Sequence, residues 1–230
     1  PGVNPILAAV ALVVVAGTVV AVAARPPRVA ILGLAIVLIG SPVLADPLPA
    51  PLGLASRFVG AILMAYLLWI AARDRGRVRG PSPLTGGSRI GWPAEALMAA
   101  SAFVVGFAAH GLGAPALGSS LSSAAGFAVA ALAVSATVTG VDVLRVGLGS
   151  LLLIDGALLV RVGLGGTPDQ LEQLVTTATL IVVAAAIATL ARAALADGAG
   201  AFDFSLEGRG SRRREPDAHP IEQQVGDVVR

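Results

Sequence analysis

The segment from Val143 to Val162 reads VLRVGLGSLLLIDGALLVRV, and between its two arginines Asp155 is the single charged residue. An apolar helix of about 20 residues is about 30 Å long, which matches the hydrocarbon core of a bilayer. An ionisable group at the centre of such a span costs about 2.5–3.5 kcal/mol on insertion scales. The segment therefore predicts a transmembrane helix that holds one carboxylate for a functional or structural reason.

The composition of the whole chain agrees with a membrane protein. Of its 230 residues 56% are hydrophobic and 13% are charged, whereas a soluble domain carries about 25% charged residues. This excludes an ordinary cytosolic enzyme, and disorder over most of the chain. There is no cysteine for a disulfide, iron–sulfur or thiolate zinc site, and the two histidines lie far apart in sequence. All 16 basic residues are arginine and the net charge is +2, so we expect the lipid bilayer as the surroundings and no nucleic-acid partner.

Seven stretches are long and apolar enough to span a bilayer, and proline, glycine or polar residues separate them. We predict an all-α, polytopic membrane protein whose residues 1–196 form the helical bundle. Residues 197–230 are too polar for a core and are predicted to be a mostly flexible cytoplasmic tail. The first segment is predicted to be a true span, because no basic residue precedes it. The predicted spans are Pro5–Ala24, Val29–Ala45, Leu54–Ala72, Ala94–Ala109, Ala116–Thr139, Val143–Val162 and Leu171–Leu195.

The arginines alternate between the loops. If the N-terminus is outside, every inner loop is basic, while the outer loops carry acidic residues and no arginine beyond the helix ends, as the positive-inside rule requires. The pattern therefore predicts seven spans in the cytoplasmic (inner) membrane, multi-pass, N-out and C-in. The inner loops and the tail hold Arg25, Arg28, Arg73, Arg75, Arg77, Arg79, Arg89, Arg145 and Arg192, and the outer loops hold Asp46, Asp169 and Glu172.

Asp155 is the candidate functional residue, with two interpretations. It is either a proton or cation relay inside the bundle, or a polar anchor that hydrogen-bonds to another helix where Gly156 lets the backbones approach. Arg57, near the outer end of the third span, either extends its side chain to the interface or pairs with a carboxylate. Arg145 is a second possible charge partner. Asp142, three residues before it, is predicted to form a local pair with Arg145.

The remaining polar residues of the spans favour structural roles. Thr176, Thr177 and Thr179 form a polar stripe in the last span, and threonines in helices commonly bond to their own backbone. Glu95 lies in the first turn of the fourth span, where an acid suits a helix N-terminus. His110 is predicted to cap the end of that span. The sequence lacks the nucleophile-elbow, phosphate-loop and zinc-protease motifs, so we expect no catalytic residues, metal site or cofactor of its own.

The order of features in the last third resembles the hydrogenase-4 component E family, the small membrane subunit of complex I-like hydrogenases. That family has a similar length and seven spans, and its last third resembles the small 4L-type subunit of complex I and the C subunit of Mrp-type antiporters. The resemblance covers about residues 140–208. It rests on Asp142-Val-Leu-Arg145, Gly149, Leu153-Ile154-Asp155-Gly156, Thr167-Pro168-Asp169, Leu171-Glu172, Leu190-Ala191-Arg192, Phe202-Asp203 and Leu206-Glu207-Gly208.

The resemblance implies a small non-catalytic subunit that packs beside large antiporter-like membrane subunits of a hetero-oligomeric complex and supports proton or cation translocation. The family typically has an acid-Asn-Gly run in the sixth span, whereas this chain has Ile154-Asp155-Gly156, with the acid one residue later. Two alternatives stay open. One is a stand-alone small-solute or ion transporter with a watery cavity lined by Asp155, Thr176 and Thr177, and the other is a membrane anchor or assembly subunit without ion transfer.

Overall fold

The computed structural model describes residues 4–78, 91–109, 117–140 and 142–196 of the chain. Within these ranges the regular elements are all helical, and seven helices are long and apolar enough to cross a membrane. The prediction of an all-α protein with seven candidate spans is confirmed; the predicted orientation stays a prediction. The helices are α1 (Pro5–Ala23), α2 (Pro27–Gly40), α3 (Pro51–Val78), α4 (Trp92–Ala109), α5 (Ser120–Thr139), α6 (Val143–Gly165) and α7 (Gln170–Ala196).

Proline marks where several helices begin. Pro5, Pro27 and Pro51 each occupy the first helical position, where the missing N–H has no intrahelical partner to lose. The second span ends in a 3₁₀ turn over Ser41–Leu44 rather than as a continuous α-helix. This turn contains Pro42, which cannot donate the hydrogen bond that an α-helix requires. The 3₁₀ turn brings the side chain of Ser41 into the bundle, where it is buried.

Helices α5 and α6 are in backbone contact along a row of glycines. A Cβ atom placed on Gly156 would lie 2.8 Å from the amide nitrogen of Ala130, and one on Gly126 would lie 2.6 Å from that of Val160. Real Cβ atoms do not come so close, so these positions require glycine. Gly149 and Gly163, seven residues to either side of Gly156, also face α5. Small residues thus allow the close helix approach that is typical of membrane bundles.

Helices α3 and α7 form a second close pair. A side chain at Gly53 would collide with the amide of Gln173, and one at Gly60 would lie 2.5 Å from the Cγ2 atom of Thr177. The outer faces of the bundle are apolar: every helix carries large apolar side chains that are exposed, for example Leu12 on α1. An apolar surface of this kind suits lipid or another membrane protein and not water.

Candidate functional site

Asp155 lies in the middle of α6 and is completely buried. Its Oδ1 atom accepts a hydrogen bond from the Ser41 hydroxyl at 3.1 Å and one from Nη2 of Arg57 at 3.2 Å. One carboxylate therefore joins three segments of the chain, the 3₁₀ turn, α3 and α6. Its second oxygen, Oδ2, has no hydrogen-bond partner among the described residues.

Asp155 and Gly156 are adjacent in sequence but contact different helices. Successive residues of an α-helix point about 100° apart. Gly156 faces Ala130 of α5, whereas Asp155 faces Ser41 and Arg57, on the side of α2 and α3. Asp155 does hydrogen-bond to another helix, but the close approach at Gly156 is not what supplies its partners.

Arg57 points into the bundle instead of extending to the outer interface. Its side chain is 13% exposed and forms an ion pair with Asp155 at 3.2 Å. Gly53, Arg57 and Gly60 lie four and three residues apart, so they share one face of α3. The glycines of this face contact α7, and Arg57 extends between them toward α6. The ion pair therefore links the α3–α7 pair to the rest of the bundle.

A small cavity of about 40 Å³ lies beside this ion pair, with Ser41, Arg57, Gln173 and Thr176 in its wall. One water needs about 10–15 Å³ of such space, whereas sites for small molecules measure about 300–1,000 Å³. The cavity therefore has room for about three or four waters. Gln173 is buried, donates from Nε2 to the Pro168 carbonyl at 2.9 Å, and its Oε1 has no hydrogen-bond partner among the residues described.

The three threonines of α7 do not act as one stripe. Thr177 donates to the Gln173 carbonyl and is buried against α3, and Thr179 donates to the Val175 carbonyl on the exposed side. Of the three, only Thr176 lies in the wall of this cavity. The sequence suggested a cavity lined by Asp155, Thr176 and Thr177. The cavity in the structure includes Thr176 but neither Asp155 nor Thr177, and its other polar lining comes from Ser41, Arg57, Arg161 and Gln173.

Asp142 and Arg145 lie at the other end of α6 from the cavity. The Asp142 carboxylate caps α6 by accepting from the amide of Leu144 at 2.9 Å. The Arg145 guanidinium donates to the carbonyls of Val22 at 3.0 Å and Ala24 at 2.7 Å, at the end of α1. Arg145 therefore donates hydrogen bonds to the end of α1, and the negative charge of Asp142 also attracts its guanidinium group.

Arg145 is not a partner of Asp155. Ten residues of α-helix separate the two, a rise of about 15 Å at about 1.5 Å per residue. Of the charge partners considered from the sequence, Arg57 is therefore the one that the fold brings to Asp155. Arg161, near the outer end of α6, pairs instead with Glu172 at 2.7 Å on the exposed surface.

Glu95 is a second buried carboxylate, and sequence reasoning missed its burial. It lies in the first turn of α4, as predicted, but its side chain is completely buried and neither oxygen has a hydrogen-bond partner in the described part of the chain. Ala99 and Gly106, four and eleven residues later, are the other buried residues of α4 and lie on the same face. Because alanine occurs on every side of α4, the sequence offers no signal that Glu95 faces inward.

The described residues contain no group of three or more histidine, cysteine or acidic side chains that could hold a metal ion. His110 and the tail from 197 to 230 lie outside the described residues. Comparison of the chain with protein-family models, with curated proteins and with solved structures finds no match. Asp155 is thus a buried carboxylate whose two hydrogen-bond donors, Ser41 and Arg57, line a cavity large enough for water. Such a group can hold a proton or anchor the helices.

Proposed function

We propose that this chain is a small non-catalytic membrane subunit of a complex I-like or hydrogenase-like assembly, where it packs beside large antiporter-like subunits and supports proton or cation translocation. The observation that carries the proposal is the Asp155–Arg57 ion pair, buried within the spans, with Oδ2 of Asp155 left open. Intramembrane acids are costly and mark ion pathways or proton relays by default. The resemblance of residues 140–208 to the hydrogenase-4 component E family supplies the class of assembly.

The size of the cavity favours a subunit over a stand-alone solute transporter. A transporter needs a site that encloses its solute, and the space beside Arg57, of about 40 Å³, is too small for one. A larger groove of about 390 Å³ between α4 and α5 is open at the surface and lined mostly by apolar side chains. The outer faces are rich in exposed apolar side chains, such as Leu97 and Val104 on α4. Such faces suit lateral packing in a membrane against lipid and against neighbouring subunits.

In this proposal Asp155 is the exchanging group and Arg57 compensates its charge. Oδ1 stays with Arg57 and Ser41, both of which line the cavity, while Oδ2 has no hydrogen-bond partner among the described residues and takes the proton. A proton that arrives at Oδ2 neutralises the carboxylate and weakens its attraction to Arg57. The ion pair between α3 and α6 would then open and close as the proton binds and leaves, in the cytoplasmic membrane with the N-terminus outside.

Purification of the full chain tests the assembly. A tagged chain isolated from its native membrane in mild detergent is expected to bring down large multi-span subunits in fixed ratio. A chain that purifies as a monodisperse oligomer by itself and moves ions or solutes when reconstituted would refute the proposal and favour the transporter.

Asp155→Asn tests the role of the carboxylate within that assembly. The substitution keeps the shape and a hydrogen-bond acceptor but removes the exchangeable charge and leaves Arg57 without its counter-charge. We therefore expect a less stable chain, and loss of ion movement in the assembly that it forms. Glu172→Gln is the matched control, since Glu172 is an exposed acid paired to Arg161, and it should leave ion movement unchanged. Normal assembly with unchanged ion movement in Asp155→Asn would reject the relay and leave an anchoring subunit.

A further inference from the structure

The first turn of α4 places a carboxyl group inside the bundle instead of at its surface. Glu95 has no exposed area, and neither of its oxygens finds a hydrogen-bond donor among the described residues. It is the fourth residue of α4, so its backbone lies only about 5 Å along the axis from the helix start. A buried carboxyl group is therefore close to the surface at one end of the span.

Among the described residues, few charged groups face Glu95. Helix α4 packs against α5 and α1, and neither carries a titratable residue. From α6, Arg145 interacts electrostatically with Glu95 but gives hydrogen bonds to the Val22 and Ala24 carbonyls, and Asp142 acts on the same guanidinium. Among the residues of α4 itself, Glu95 is the only ionisable one.

An ionised carboxylate at this place lacks the hydrogen bonds that normally offset the loss of hydration. A bound cation would offset that loss, and the ligands present favour a proton over a metal ion. The described residues offer no cluster of three or more acidic, histidine or cysteine side chains that could hold a metal ion. A proton needs only the carboxyl oxygen itself.

We propose that Glu95 is a proton-binding site, separate from Asp155, that exchanges its proton with the aqueous phase at the end of the bundle where α4 begins. The proposal does not rest on the proposed function, because it concerns the chemistry of this chain alone. It makes Glu95 a second carboxyl group that protonates within the spans, at about the level of Arg145 and on the order of 15 Å along the bundle from Asp155.

Labelling with dicyclohexylcarbodiimide tests the proposal on the full chain in lipid vesicles, without partner subunits. This apolar reagent adds to the acid form of a buried carboxyl group: the carboxyl oxygen attacks the carbodiimide carbon, the proton passes to nitrogen, and the acyl group shifts to nitrogen as a stable N-acylurea. Peptide mass spectrometry locates the adduct. We expect label on the peptide that contains Glu95, decreasing as the pH is raised and unchanged by Na⁺.

Two variants distinguish this proposal from the proposed function of Asp155. The label at this position should be lost in Glu95→Gln and retained in Asp155→Asn, whose effect on ion movement tests the other proposal. Label on Glu95 that Na⁺ suppresses would show a metal-ion site and overturn the proton assignment, as would an unlabelled Glu95 peptide. If Glu95→Gln does not fold, the position of the adduct in the wild-type chain still decides.

Discussion

Replacement of Arg57 by methionine, which has a similar length and no charge, should strongly destabilise the bundle. Removal of one partner of a buried ion pair costs about 3–5 kcal/mol, because the remaining charge is left uncompensated. Asp155 is fully buried and Arg57 is 13% exposed, but a single contact at 3.2 Å joins them. We therefore expect the lower end of that range, about 3 kcal/mol. An ordinary hydrogen bond between spans contributes about 0.6 kcal/mol. The expected loss of unfolding free energy is therefore severalfold larger if Arg57 and Asp155 form a buried ion pair than if they form an ordinary hydrogen bond.

The assay is the free energy of unfolding of the purified chain, from denaturation in mixed micelles. Arg161→Met is the matched control, because the Arg161–Glu172 pair has side chains that are 49% and 40% exposed, and such pairs contribute about 0–1 kcal/mol. The double variant Arg57→Met/Asp155→Leu removes both charges and should recover most of the loss. The reasoning is refuted if Arg57→Met costs no more than Arg161→Met, or if the loss in the double variant is the sum of the two single losses.

Two further predictions concern packing and orientation. Gly126→Leu should abolish the folded monomer on gel filtration, because even its Cβ would lie 2.6 Å from the Val160 amide nitrogen, while Gly165→Ala, with nothing within 4 Å, should be tolerated. Because the chain has no cysteine, a single introduced cysteine reports the orientation directly. We expect Asp46→Cys to react with an impermeant maleimide on intact cells, and Ser82→Cys to react only after permeabilisation. The reverse pattern would contradict N-out insertion.

The sequence predicts the helices well and their neighbours poorly. Span length and hydropathy depend only on local composition, which is why seven helices and the unusual position of Asp155 could be recognised from the sequence. The direction of a side chain depends on which helices pack together. Spans that are apolar on all sides carry no face that reveals this packing. The sequence therefore does not decide whether the Arg57 side chain extends to the lipid interface or into the bundle. It predicts that Glu95 lies at a helix end, but not that its side chain faces inward.

The exact position of the acid in α6 offers a final test. The hydrogenase-4 component E family, to which our proposal relates this chain, typically has its acid one residue earlier. That position is Ile154 here, which is half-buried in the packing of the bundle. Asp155 lies about 100° further around the helix. There it contacts Ser41 of the 3₁₀ turn and Arg57 of α3, which both belong to the N-terminal part of the chain.

Exchange of the two side chains, Ile154→Asp with Asp155→Ile, keeps composition and hydropathy unchanged while it turns the acid away from Arg57. If the ion pair is what matters, the exchanged chain should be about as unstable as Arg57→Met and should lose ion movement in the assembly. The free energy of unfolding and the ion flux are measured beside wild type. Wild-type values for both would mean that an acid anywhere in the middle of α6 suffices, and that the contact between the two halves of the chain is incidental.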